Sequence, residues 1–361
     1  MSKSKPVVRK IQEYFLKGKE IFVGLEDSKR TWRVSVRSER REVHYASMPA
    51  RYEVLAAFLR NKFPDCSVHL VYEAGFKGFN LYDRLTADGH DCTVVPPHTI
   101  HQEKCSRVKN DRIDAQLLAK NLEDGNCKAC HVPDEERRVD RQWARILSDI
   151  HRKIVTLKNQ IRKTLDFHGI ETGMEGKAWN DGQYKALRTL ELPPEHRLWL
   201  DVYLNMLDYL LAEQKNLKAK LQELAKKERY ANAFRIAASL PGVGELTAIR
   251  LVLELGEDFS RFKSGAEIAS FIGLGGSEYS TGETVRRGGI TKQGNALIRA
   301  WLIQCAWVAI KHDPAMLEFY SRIRRNTAIA QKAIIAVARK LIVRMRSCIV
   351  NNVEYAYGVI E

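Results

Sequence analysis

Ile21-Phe-Val-Gly-Leu-Glu26 is a short apolar run that closes on a carboxylate, and the fold of the chain turns on it. Trp32-Arg-Val-Ser-Val36 follows after a brief gap, then Val68-His-Leu-Val-Tyr-Glu73 and Cys92-Thr-Val-Val95. Each run is short and rich in β-branched or aromatic residues, which is how strands read. Segments of helical period lie between them, around Arg51 to Phe63 and Gly78 to Asp88. A near-hairpin followed by alternating strands and helices predicts a mixed α/β sheet of the ribonuclease-H kind. Asp111 to Glu123 reads as a further helix, with Gly125 placed to cap it.

Acids sit at telling places in this pattern. Glu26 ends the first strand, Glu73 ends a later one, and Asp111 and Asp114 lie three apart on one helical face. Four carboxylates converging at one sheet edge are the hard oxygen donors that hold a pair of Mg²⁺ or Mn²⁺ ions, about 3.5–4 Å apart, for in-line phosphoryl transfer. The bland alternative is a set of solvated helix charges and a surface acid at a strand end.

The 361 residues are 45% hydrophobic and 29% charged, enough for two or three domains and a sizeable core. A net charge of +15 makes a polyanion the first partner to consider, and nucleic acid fits because no amphipathic anchor stands out. Apolar stretches such as Ala333 to Ala338 fall far short of a membrane span, and Met1 to Lys10 lacks the apolar region of a signal peptide. The expected location is the cytoplasm, on the nucleoid when DNA is bound. Seven scattered cysteines read as reduced thiols. Cys127, Cys130 and His131 spell C-x-x-C-H, but without export or a second ligand pair they read as ordinary thiols near a domain edge.

The middle of the chain changes character. Trp143, Leu147, Ile150, Ile154, Leu157 and Ile161 step by four and three until Gly169, forming a heptad seam. A second seam runs through Leu200, Tyr203, Leu207, Leu210, Gln214, Leu217, Leu221 and Leu224, after a connector ending at Pro193-Pro194. Two antiparallel helices of one chain, or helices pairing between subunits, both satisfy the pattern. From Asn232 onward the sequence turns glycine-rich and then helical, and no internal repeat is visible. The expected domains are 18–132, 133–231 and 232–361.

In the last of these, Leu240-Pro-Gly-Val-Gly-Glu-Leu-Thr-Ala248 is patterned as a helix-hairpin-helix, whose Gly242 and Gly244 would let backbone N–H groups approach phosphate. A plain turn between helices is the alternative. Phe271-Ile-Gly-Leu-Gly-Gly-Ser-Glu-Tyr-Ser-Thr-Gly282 leads into Arg286-Arg287-Gly-Gly-Ile-Thr-Lys292 and Gly294-Asn295, before an apolar helix through Trp301 and Trp307. Small hydroxyls and glycines beside Arg286, Arg287, Lys292 and Arg299 suit a loop set against phosphate. On the final helix, Ala328 to Val350, the residues Lys332, Arg339, Lys340, Arg344 and Arg346 read as a solvated face over a buried stripe.

Taken together, Val23-Gly-Leu-Glu26, Val71-Tyr-Glu-Ala-Gly75, Lys109-Asn-Asp-Arg-Ile-Asp-Ala115 and the glycine-rich C-terminal block resemble the motifs of the DEDD insertion-sequence transposases. These are the bridge-RNA-guided recombinases, Piv/MooV-like, whose first domain resembles Holliday-junction resolvases. The resemblance implies that Glu26, Glu73, Asp111 and Asp114 take the four acidic positions, with Glu26 where aspartate is more usual. It also implies a nucleophilic hydroxyl just before Gly282. Thr281 stands there and Ser280 precedes it; alignment favours Thr281, while the unbranched Cβ of Ser280 suits a crowded phosphate. Further implications are a structured guide RNA, donor and target DNA, two divalent ions, and a dimer or tetramer. The rivals are a resolvase-like nuclease that activates water and a catalytically silent nucleic-acid-binding protein.

Overall fold

The computed structural model describes residues 16–97, 110–172, 179–278 and 287–358. It divides into two compact units, Met1–Pro133 and Asp134–Glu361.

The first unit is built on a five-stranded sheet of β1 (Glu20–Asp27), β2 (Thr31–Ser38), β3 (Arg41–Pro49), β4 (Ser67–Glu73) and β5 (Asp91–Val95), in the order β3-β2-β1-β4-β5. β1, β2 and β3 pair antiparallel, whereas β4 lies parallel to β1 and β5 parallel to β4. Strand alternation assigns the two faces. Ile21, Val23 and Leu25 are fully buried with Val34, Val36, Leu70 and Tyr72, in a cluster closed by Leu55 and Leu59 of α1 (Tyr52–Lys62) and Leu81 and Leu85 of α2 (Asn80–Ala87). On the other face Val71 and Val95 meet Leu118 of α3 (Asp111–Glu123). The mixed α/β expectation therefore holds for this unit.

Strand β3 was not foreseen. Its half-exposed, polar sequence looks like loop, and the two-residue turn before it carries Glu39 and Arg40, both at positive φ (50° and 63°). Such a hairpin usually announces itself with Asn-Gly, and here it does not. Helix α2 begins two residues after the expected Gly78, because Gly78 itself adopts a left-handed turn conformation (φ 64°).

The second unit is helical apart from one ribbon. α4 (Glu135–Phe167) carries the first heptad seam and α6 (Pro194–Ala225) the second, with a short helix α5 (Asp181–Thr189) in the connector. Helix α5 starts at a reciprocal cap: Asn180 Oδ1 accepts from Gln183 N at 2.9 Å, and Gln183 Oε1 accepts from Asn180 N at 3.3 Å. Ile161 and Leu165, late in α4, share a cluster with Leu200 and Leu204, early in α6. Leu147, early in α4, instead joins Leu217, Leu221 and Leu224, late in α6. The seams thus pack on each other, antiparallel, within one chain.

Beyond them come α7 (Glu228–Ala238), α8 (Glu245–Leu255), α9 (Gly265–Ile272), the ribbon β6 (Gly276–Glu278) and β7 (Arg287–Ile290), α10 (Ala296–His312), α11 (Pro314–Arg325) and α12 (Ala330–Val350). Val252, Ile298, Leu302, Val337 and Leu341 form their fully buried centre. Among the described residues no helix is long and apolar enough to cross a membrane.

The turn from α7 to α8 depends on Gly242, which sits at φ 74° with its α-carbon against α10. A Cβ there would stand 2.3 Å from the Cys305 carbonyl oxygen and 2.8 Å from Ala309 N. Gly242→Ala should therefore lower unfolding stability by about 1–3 kcal/mol, read from the urea midpoint. An unchanged midpoint would show that the turn does not rest on α10.

Candidate functional site

The acids of the first unit are brought to one face by strand parity and one glycine. Side chains alternate along β1, so Glu26 shares the face of Gly24, and Glu73 on β4 shares the face of Val71, which packs on α3. The last registered pair between these parallel strands, Leu25 with Tyr72, puts Glu26 and Glu73 side by side one residue further on. Helix α3 lies against Gly24 at backbone distance: a Cβ on Gly24 would meet Ala115 O at 2.2 Å and Ala119 N at 2.4 Å. Ala115 and Ala119 are fully buried in this contact, and Asp114 immediately precedes the first of them.

Other interactions fix the helix in that seat. Asn110 caps it, its Oδ1 accepting from Ile113 N at 2.9 Å, so Asp111 and Asp114 occupy the first turn. Gln116 donates to Glu42 on β3 at 2.9 and 3.0 Å. At the far end Glu123 accepts from Arg37 Nε at 2.7 Å and from the Arg40 backbone N–H at 2.5 Å.

Glu26 carries the electrostatic consequence. Burial raises its carboxyl above the ordinary range, and the charges of Asp111, Asp114, Asp27 and Glu73 raise it further. Its Oε2 is buried without a hydrogen-bond partner among the described residues. An orphaned carboxylate oxygen amid other acids, with no compensating positive charge recorded among the described residues, suits a hard divalent cation. Even so, among the described residues no three His, Cys, Asp or Glu side chains are gathered closely enough to hold an ion as they stand.

Asp27 points to the opposite face and is engaged there. Trp32 Nε1 donates to its Oδ1 at 2.8 Å, and Lys77 Nζ lies 3.1 Å from the same oxygen. Cys127 and Cys130 are free, half-buried thiols, and burial pushes both pKa values up.

In the second unit the nucleophile candidates Ser280 and Thr281, with Arg286, lie outside the described residues. What is described is the root from which their segment leaves. β6 and β7 pair through Gly276 with Ile290 and Glu278 with Arg287. Below them the chain crosses itself at two glycines of positive φ. A Cβ on Gly273 would stand 2.2 Å from Gln293 O, and one on Gly294 2.1 Å from Phe271 O. Arg299 donates to Ile272 O at 2.8 Å, holding the end of α9, while Lys292 is exposed at φ 57°. Gly244 is exposed at the start of α8, unlike the packed Gly242.

A buried hub supports this root. Glu254, 2% exposed on α8, accepts from Arg141 Nη2 at 2.8 Å and Arg145 Nε at 2.7 Å, both on α4. Asn295 Nδ2 donates to it at 3.4 Å, while the Asn295 Oδ1 caps α10 by accepting from Leu297 N at 3.0 Å. None of these acquired a role from sequence. The signal was there, in an acid within Leu251-Val-Leu-Glu-Leu255 and arginines four apart at 141 and 145.

With the geometry in place, comparison with known proteins is informative. Residues 23–170 match a transposase family model of the DEDD IS110 kind, and residues 235–321 match the model of the transposase IS116/IS110/IS902 family. The chain is 31% identical over 248 residues to y4qE of Sinorhizobium fredii, named as a candidate transposase, covering 66% of this chain and 58% of that protein. It is 26% identical over 361 residues to y4rJ of the same organism, also named as a candidate transposase, with 90% of each chain covered. The transposase for insertion sequence element IS1533 of Leptospira borgpetersenii is 26% identical over 261 residues, 70% of this chain and 74% of its own.

The strain at Glu26 has a testable sign. Its raised pKa means the folded protein holds the Glu26 proton more tightly than the unfolded chain does, so stability falls as pH rises through the folded value. Glu26→Gln removes that loss. In chelator the variant should melt several degrees above the parent at neutral to alkaline pH and match it at pH 4. A variant that melts lower at pH 8 would show that the Glu26 charge is already compensated.

Proposed function

Because the chain belongs to the IS116/IS110/IS902 family of insertion-sequence transposases, we propose that it is a site-specific DNA recombinase that cuts and joins strands through a metal–carboxylate cluster and a hydroxyl nucleophile. The observation that carries this reading is the buried Oε2 of Glu26, unpartnered among the described residues, on the face where Glu73, Asp111 and Asp114 also stand. Glu26, Glu73, Asp111 and Asp114 would hold Mg²⁺ or Mn²⁺. Such an ion supplies Lewis-acid stabilisation of charge on the transferring phosphoryl group.

The rest is the work of the chain. Residues 18–132, within the first unit, would act as the ribonuclease-H-like, resolvase-like domain, a reading supported by three antiparallel strands followed by two parallel ones. Residues 133–231 would form the coiled-coil region that also serves self-association as a dimer or tetramer. Residues 232–361 would hold DNA, with the α7–α8 turn acting as a helix-hairpin-helix and exposed Gly244 presenting the start of α8 to backbone phosphate. Arg286, Arg287 and Lys292 would steady charge on the phosphate, and Arg299 would act from beneath by fixing the end of α9.

Thr281, with Ser280 as the alternative, would attack phosphorus through its hydroxyl oxygen. Its proton passes to a base, and the bridging oxygen of the cut strand departs and is protonated. A protein–DNA phosphodiester conserves bond energy, so rejoining needs no added cofactor. A structured bridge RNA would choose donor and target by base pairing, with the basic protein gripping backbones.

Trapping that covalent adduct and mapping the modified peptide tests the proposal. The expected adduct lies at Thr281 or Ser280, and Asp114→Asn should abolish recombination in a folded protein. Full activity of the Ser280→Ala, Thr281→Ala double variant without any adduct would return the chemistry to activated water. Binding should also weaken steeply with salt, by at least tenfold between 50 and 200 mM in order of magnitude, since a chain of net charge +15 displaces many counterions. A flat salt response would contradict the electrostatic grip.

A further inference from the structure

Phe76 is 62% exposed, and it is the one exposed large apolar side chain among the described residues of the first unit. It stands three residues beyond Glu73, in a turn that is held at several points. Ala74 N donates to Val95 O at 2.8 Å and Gly78 N to Gly75 O at 3.2 Å. The hydroxyl of fully buried Tyr72 donates to Gly78 O at 3.2 Å. A ring kept in water by so fixed a turn forgoes the burial that a side chain of its size would otherwise find.

Two cations flank it. Lys29 Nζ, from the turn between β1 and β2, and Lys77 Nζ each lie 5.8 Å from the ring centroid. Lys77 is positioned as well as charged, since it pairs with Asp27 at 3.1 Å and lies 4.6 Å from the centroid of buried Trp32. The Asp27–Trp32–Lys77 arrangement lies on the face opposite Glu26, although the Asp27 charge is near enough to help raise the Glu26 carboxyl. Lys29 pairs with no carboxylate among the described residues.

We infer that Phe76, with Lys29 and Lys77, is a stacking platform for one unpaired base of the DNA strand whose phosphate lies at Glu26 and Glu73. Every base offers a π-face, and an aromatic ring bordered by cations takes the base on the ring and the adjoining phosphates on the ammonium groups. A protein partner would need a contiguous apolar patch, which a lone ring does not provide. Because Phe76 and Glu73 leave the same strand end, the platform sets which nucleotide stands beside the carboxylates. It is a positioning residue for the reaction proposed above, and the inference rests on that reading.

The test uses the full chain and single-stranded DNA oligonucleotides carrying 2-aminopurine at successive positions, with matching RNA oligonucleotides in parallel. The parent should quench 2-aminopurine fluorescence at one position in DNA. Phe76→Ala should abolish that quenching and weaken binding roughly fivefold or more, Phe76→Trp should restore both, and Lys29→Ala should weaken binding while leaving residual quenching. Thermal melting of each variant checks the fold, and Mn²⁺ binding by calorimetry reports the acid cluster separately. Unchanged quenching and affinity in Phe76→Ala overturn the platform while leaving the metal reading intact. Quenching with RNA alone, no quenching by the parent, or a Phe76→Ala effect confined to self-association also overturns it.

Discussion

The close approach of α3 to Gly24 is the constraint on which the candidate site depends. A helix can lie on a sheet at backbone distance only where the facing side chains are absent or no larger than methyl, and Gly24, Ala115 and Ala119 clear that space. Everything else at the acid cluster follows. The capped first turn carries Asp111 and Asp114 to the end of β1, and parity has already turned Glu26 and Glu73 toward them. The ties from Gln116 to Glu42 and from Glu123 to Arg37 and Arg40 secure the length of the helix. Burial raises the Glu26 carboxyl most, and the like charges gathered around it raise it further. A divalent cation held there, as proposed above, would relieve that repulsion.

The second unit fixes the two ends of the β6–β7 ribbon by backbone contact. Gly273 and Gly294 allow those ends to cross, and Asn295 at once starts α10 and touches Glu254. Burying Glu254 with Arg141 and Arg145 adds little net stability, since desolvation offsets most of the Coulombic gain. What it gives is register. Helices α4 and α8 are held in a setting that satisfies both arginines, and removing both would strand the buried acid.

Much of this was legible in the sequence and some was not, for physical reasons. Strand-end acids and the helix from Asp111 to Glu123 were readable because alternation, capping and charge all agree there. The β2–β3 hairpin was hidden because Glu39 and Arg40, not glycine or asparagine, take the left-handed turn. The role of Gly24 was not legible, since only the packed structure shows what a Cβ would strike. The seams at Leu147 and Leu221 allowed pairing within or between chains, and heptads alone carry no information on which. Exposure of Phe76 was equally unreadable, because an aromatic after a strand is ordinarily core.

The Gly24 contact, and not the acids alone, would make the proposed metal site. Calorimetric titration of Mn²⁺ into Gly24→Ala, beside the parent, tests it most directly, because the variant keeps all four carboxylates and displaces only the helix that carries two of them. The account predicts affinity reduced by about tenfold or more, equivalent to at least ~1.4 kcal/mol, in a protein whose circular dichroism matches that of the parent. Parental affinity in a folded Gly24→Ala variant would contradict it.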